Sequence, residues 1–124
     1  MLDYYESEME FSGDVCVLSV SGETDMYTAP RFKRDLDEAM AVVPGDVVLD
    51  LSDLDMIEST ALGILIAALA CMSDERRSLV LVIKRRHVLR VFAITGLRSA
   101  FSIVSTRAEA LASVAAGQWS RQAA

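Results

Sequence analysis

Histidine occurs once in this chain of 124 residues, at His87, and cysteine twice, at Cys16 and Cys71. A clustered metal site needs several such ligands at close spacing, so the sequence predicts none. Two cysteines make no disulfide framework. Cys16 lies in the strand-like run DVCVLSV and Cys71 ends an apolar run, so both read as small buried hydrophobes. A redox role for the pair is the alternative. Long hydrophobic runs are missing too. The uncharged segment Ser59–Ser73 has 15 residues, where a membrane-spanning helix needs about 20. The opening MLDYYESEMEF is acidic where a secretory signal would be basic. The expectation is a soluble cytoplasmic protein with no membrane contact. No G-x-x-x-x-G-K-[ST], G-x-G-x-x-G or G-x-S-x-G string occurs, so neither a nucleotide fold nor a serine hydrolase is indicated. No enzyme activity and no cofactor are expected.

Positive charge is scarce in the first half. Residues 1–60 hold 15 acids against 3 bases, a net of −12, and residues 61–124 hold 3 against 9, a net of +6. Nucleic-acid binding needs a positive field over the contact face, which this balance opposes. The only basic cluster, Lys84 to Arg90 (KRRHVLR), lacks interleaved aromatics for base stacking and reads as a solvated helix start.

What is present is an alternation of apolar patterns. Met9–Phe11 and Val15–Val20 flank Ser12-Gly13-Asp14, a hairpin signal. Ser21–Pro30 reads as a loop, with Thr28 as N-cap and Pro30 in the first turn of a helix. Ala29, Phe32, Leu36, Ala39 or Met40, and Val43 then recur at helical spacing until Pro44-Gly45-Asp46. Val47–Ser52 is a buried strand, and Ser59–Ser73 a helix apolar nearly all round, expected to be covered on most sides. Ser78–Ile83 is another buried strand. Arg86–Thr95 is a helix with Val88, Val91, Phe92 and Thr95 on one face, ended by Gly96. Phe101–Val104 is a last strand. Thr106 to Glu109 fits a capping box opening a terminal helix with Leu111, Val114 and Ala115 inward.

The order ββαβαβαβα predicts an α/β fold: a mostly parallel sheet of four to five strands, an antiparallel edge hairpin and four helices. Residues 1–116 make one domain, and 117–124 a frayed tail.

In this layout Glu58, Ser59 and Thr60 stand where a strand hands over to the apolar helix. That end of a parallel sheet is where functional groups gather. A helix N-terminus offers free N–H groups and a partial positive charge, so a phosphate on Ser59 would be tolerated there. The plainer alternative makes Ser59 a simple N-cap.

The string VVLDLSDLDMIESTALGILIAAL resembles the core motif of the STAS domain of anti-sigma factor antagonists, with Glu58-Ser59-Thr60-Ala61-Leu62-Gly63 in the places of the family's Asp-Ser-Ser/Thr-Gly-Leu-Gly. VSGETDMYTAPRFKRDL resembles its Gly-Glu-Leu-Asp loop and first helix, and RVFAITGLRSAFSIVST a later helix and strand. The likeness runs from about Val15 to Ala112. It implies a single STAS-like domain that binds an anti-sigma factor which is also a serine kinase, and so frees a sigma factor. Phosphorylation of Ser59 would release the kinase, and a serine phosphatase would reset the switch. Thr60 is the weaker acceptor. Glu23, Asp25, Glu58, Ser59, Thr60 and Ala61 are the implied partner-binding residues, with Asp53 and Asp55 expected on the same acidic rim. Glu58 replaces the usual aspartate and Ala61 the usual glycine, whose methyl would stand where a partner approaches. The competing reading is a non-enzymatic STAS scaffold in a signalling assembly, with the acceptor site degenerate or unused.

Overall fold

The computed structural model of the chain describes residues 4–123, with side chains over residues 4–115. It begins with a hairpin: β1 (Tyr5–Ser12) and β2 (Val15–Thr24) run antiparallel, turning at Gly13 with φ +59°. Then follow α1 (Ala29–Val42), β3 (Val47–Asp50), β4 (Leu54–Ile57), α2 (Ser59–Asp74), β5 (Leu79–Val82), α3 (Arg86–Ile94), β6 (Ser102–Val104) and α4 (Arg107–Ala123). The sheet runs β1-β2-β3-β5-β6 and is parallel except for the hairpin, while β4 lies beside β2.

The sheet thus has six strands rather than the expected four to five. The additional one is β4, Leu54–Ile57, in a stretch that reads locally as a connection. Its partner is the far end of β2, Gly22–Thr24, in a stretch whose composition predicts a loop. The first part of β2 pairs with β3, from Cys16↔Val47 to Ser19↔Asp50, and its last part with β4, from Gly22↔Leu54 to Thr24↔Ile57. Gly22 reads as a turn residue, yet it is a strand residue with φ +94°, and a Cβ there would stand 2.4 Å from the Tyr4 carbonyl oxygen. Glycine in a strand marks such a close backbone approach.

Alternating residues send the core to both faces. Cys16, Leu18, Val20, Val47, Leu49, Leu79 and Leu81 meet α1, α2 and α3 on one side. Val15, Val17, Val48, Val80 and Val82 meet Ala110 and Val114 of α4 on the other. Strands buried on both faces read as continuous apolar runs. In α1 the buried residues Ala29, Phe32, Leu36 and Ala39 follow the predicted face. In α3 Val88 and Phe92 are buried, with Phe92 edge-on to Phe101 at 5.8 Å, but Thr95 is exposed and its hydroxyl donates to the Val91 carbonyl at 2.7 Å. In α4 Ala115 is exposed while Val114 is buried. The Glu109 amide donates to Thr106 Oγ1 at 3.1 Å, the forward half of the capping box; Glu109's carboxylate turns to the Ser105 and Thr106 hydroxyls. The expected tail over 117–124 lies outside the described side chains.

α2 is less enclosed than its composition suggests. Ala61, Leu62, Leu65, Ala68 and Met72 are buried, but Gly63, Ile66, Ala67, Ala70 and Cys71 face outward. Cys71 is exposed, contrary to its reading as a buried hydrophobe, whereas Cys16 is fully buried. Apart from Ile66, the outward-facing side chains are small, and small apolar side chains carry too little area to require burial.

Candidate functional site

β2 and β4 are parallel neighbours, so their carboxyl ends leave the sheet side by side. The Glu58 amide donates to the Thr24 carbonyl at 3.0 Å, and Thr24 Oγ1 donates to the Met56 carbonyl at 3.1 Å. After those two stitches one chain turns into Asp25–Thr28 and the other into α2. The loop before α1 and the start of α2 therefore share one rim.

The loop is fixed by its own polar groups. Asp25 Oδ1 accepts from the Tyr27 amide at 2.8 Å and the Thr28 amide at 2.9 Å. Thr28 Oγ1 accepts from the Asp25 amide at 2.9 Å and donates to the Glu23 carbonyl at 2.8 Å. The Thr28 amide, chiefly, holds the Asp25 carboxyl below the usual carboxylate range, because these donors favour the charged form. Thr28 stands at the expected N-cap position but adopts helical dihedrals and gives no side-chain cap bond; the carboxylate of Asp25 accepts from the amides just before α1 instead. The signal was present in the spacing of TDMYT, since Asx turns bind the amides two and three residues on.

Ser59 is the first residue of α2, and the N-cap is Glu58, in extended conformation. The simple N-cap reading of Ser59 is thereby excluded. Glu58 gives no side-chain cap bond, and α2 has no acid in its first turn. Ser59 and Thr60 are exposed. The hydroxyl of Ser59 makes no hydrogen bond among the described residues, beside amides that no side chain satisfies. Such a terminus accepts an anion on its free N–H groups and dipole.

The other implied residues divide. Ala61 is 0% exposed, so it offers a partner no surface and its methyl fills core instead. Two residues beyond Ser59, helix rotation carries it to the opposite side. Glu23 is half-buried on β2, and its backbone carbonyl supports Thr28. Asp55 is tied to α3: its carboxylate pairs with Arg85, and its backbone carbonyl meets His87 Nε2. The basic cluster is thus only partly solvated, with Lys84, Arg86 and Arg90 exposed. Asp53 lines a separate cavity of about 370 Å³ with Glu6, Glu8, Ser19, Asp50 and Arg107. The acidic rim at Ser59 therefore loses Asp53 and Asp55.

Met26 and Tyr27 belong to no motif in the sequence that would single them out. They are 64% and 71% exposed at the tip of the loop that Asp25 braces. Among the described residues no group of three or more His, Cys, Asp or Glu side chains is placed to hold a metal, and no helix is long and apolar enough to cross a membrane.

Comparison with known proteins gives this geometry its setting. The family model of the STAS domain matches residues 6–110. The anti-sigma-B factor antagonist of Listeria monocytogenes is 35% identical over 91 residues, covering 73% of this chain and 79% of its own. Among solved structures, an anti-sigma factor antagonist from Mycobacterium paratuberculosis superimposes with a TM-score of 0.82 at 32% identity, over 90% of this chain and 95% of that one. A putative anti-sigma factor antagonist from Thermotoga maritima gives 0.80 at 26% identity, over 87% and 93%. The chain belongs to the STAS domain family.

Proposed function

We propose that this protein is an anti-sigma factor antagonist, working as a non-catalytic, cofactor-free binding domain over residues 1–116 in the cytoplasm. It captures an anti-sigma factor that is also a serine kinase, and the sigma factor is set free. The kinase phosphorylates Ser59, the complex parts, and a serine phosphatase restores the binding form. Family membership supports the binding role. The observation that carries the switch is the Ser59 hydroxyl, exposed and without a hydrogen bond among the described residues at an uncapped helix start.

The physics of release is local. A phosphate adds about −1.5 to −2 charge. The free amides of α2 hold it without opening the fold. The same charge falls between Asp25 and Glu58, where a partner must match the surface. Like charge at an interface costs several kcal/mol, and each ~1.4 kcal/mol is tenfold in affinity, so a loss of two orders of magnitude is within reach.

Titration of the purified chain against each serine-kinase anti-sigma factor of its host tests the reading. One of them binding, and the sigma factor leaving that kinase as it does, supports it. Binding by none of them, with capture by an unrelated protein, returns the chain to the scaffold reading.

A further inference from the structure

Two features beside Ser59 have no explanation inside this chain. The first is the pair Met26 and Tyr27, the two most exposed large side chains on the rim. They do not dangle: both amides bound by Asp25 Oδ1 lie within Tyr27-Thr28, so the tip is held in one shape. Tyrosine and methionine are enriched at protein interfaces, and a rigid aromatic loses little conformational entropy on docking. The second is Gly63. It sits inside α2 on the outward row that begins at Ser59, one turn on. Its φ is not in the left-handed region, and a Cβ built there meets nothing within 4 Å. Glycine is poorer in a helix interior than any residue but proline. Neither backbone conformation nor crowding demands it here.

We infer that Met26, Tyr27 and Gly63 form the contact face on either side of Ser59: the tip seats in an apolar pocket of the partner, and the bare Gly63 lets the partner's backbone descend onto α2. This rests on the antagonist reading, and the occupant is the serine-kinase anti-sigma factor. Charge selects it over a second copy. An isologous pairing of two copies here would bring Asp25 and Glu58 against their own equivalents. A partner pocket rimmed by Lys or Arg is attracted instead. Affinity and choice among kinases reside in the tip and the glycine, while Ser59 carries the switch.

The test uses the full chain and the kinase that binds it in the titration above. Dissociation constants and melting temperatures are measured for wild type, for a double variant Met26→Ala with Tyr27→Ala, and for Gly63→Ala. The double variant is expected to bind about 30-fold more weakly with its melting temperature unchanged within ~2 °C. Gly63→Ala is expected to melt about 4 °C higher and yet to bind about tenfold more weakly. Opposite signs for stability and affinity are what a merely structural glycine does not give. Unchanged affinity in both variants, with wild type bound, overturns the inference and leaves the antagonist reading standing. Affinity lost in step with a falling melting temperature overturns it too. Failure of every host kinase to bind wild type removes the antagonist reading itself, and this inference with it.

Discussion

The Glu58 amide and the Thr24 carbonyl meet at 3.0 Å, and that bond joins the two segments on which the site depends. Thr24 leads to the Asp25 turn, and Glu58 leads to Ser59. Neither segment is near the other in sequence; β4 lying along the end of β2 brings them together.

Asp25 stabilises the turn as a carboxylate, which gives a pH dependence of known sign. Its folded-state pKa lies below the unfolded value of about 3.9. Its contribution is present above that value and is lost as pH falls through the lower folded one. Asp25→Asn keeps an acceptor but no charge. Melting curves of wild type and Asp25→Asn should therefore differ at pH 6 and converge as the pH falls below about 4. A constant gap across that window contradicts the assignment.

Arg77 closes the far end of α1. Its Nε donates to the Gly45 carbonyl and its Nη2 to those of Met40 and Val43, each at 2.8 Å. α1 has no base in its own last turn, so this guanidinium satisfies carbonyls the helix leaves open. Arg77→Ala should cost about 2–3 kcal/mol in urea unfolding. Arg77→Lys should recover less than half of that, because an ammonium lacks the fork.

Gly22→Ala should cost roughly 2–3 kcal/mol, since φ is +94° and the new methyl would meet the Tyr4 carbonyl. Hydrogen exchange should show the β1 end near Tyr5 opening first. Protection unchanged there would mean the hairpin shifts without loss.

The helices and the strands buried on both faces were legible because their signals are local: the spacing from Ala29 to Val43, and the branched runs of β3 and β5. β4 was not, because LDMI is four residues long and becomes a strand only through pairing with β2, whose last residues carry a misleading glycine. Ser59 was legible as a position, from motif and strand-to-helix handover. Its freedom from capping was not, since Glu58 and Ser59 compete for that role and only backbone dihedrals decide. The acidic rim was overdrawn because sequence proximity placed Asp53 and Asp55 beside Glu58. Asp53 precedes β4 and lines the cavity with Arg107, while Asp55 pairs with Arg85 at the start of α3. Ala61 was misplaced for the same kind of reason, as helix rotation turns it into the core.

The most direct measurement is the affinity of the cognate kinase for this chain before and after phosphorylation, with the modified residue mapped. Phosphate at Ser59, absent from Ser59→Ala and little changed in Thr60→Ala, should weaken binding at least ~100-fold while the melting temperature holds. Ser59→Ala should bind like the unmodified chain, and Ser59→Asp should stay folded and bind more weakly than wild type. Phosphate found only at other residues, or equal affinity with and without phosphate on Ser59, contradicts the switch.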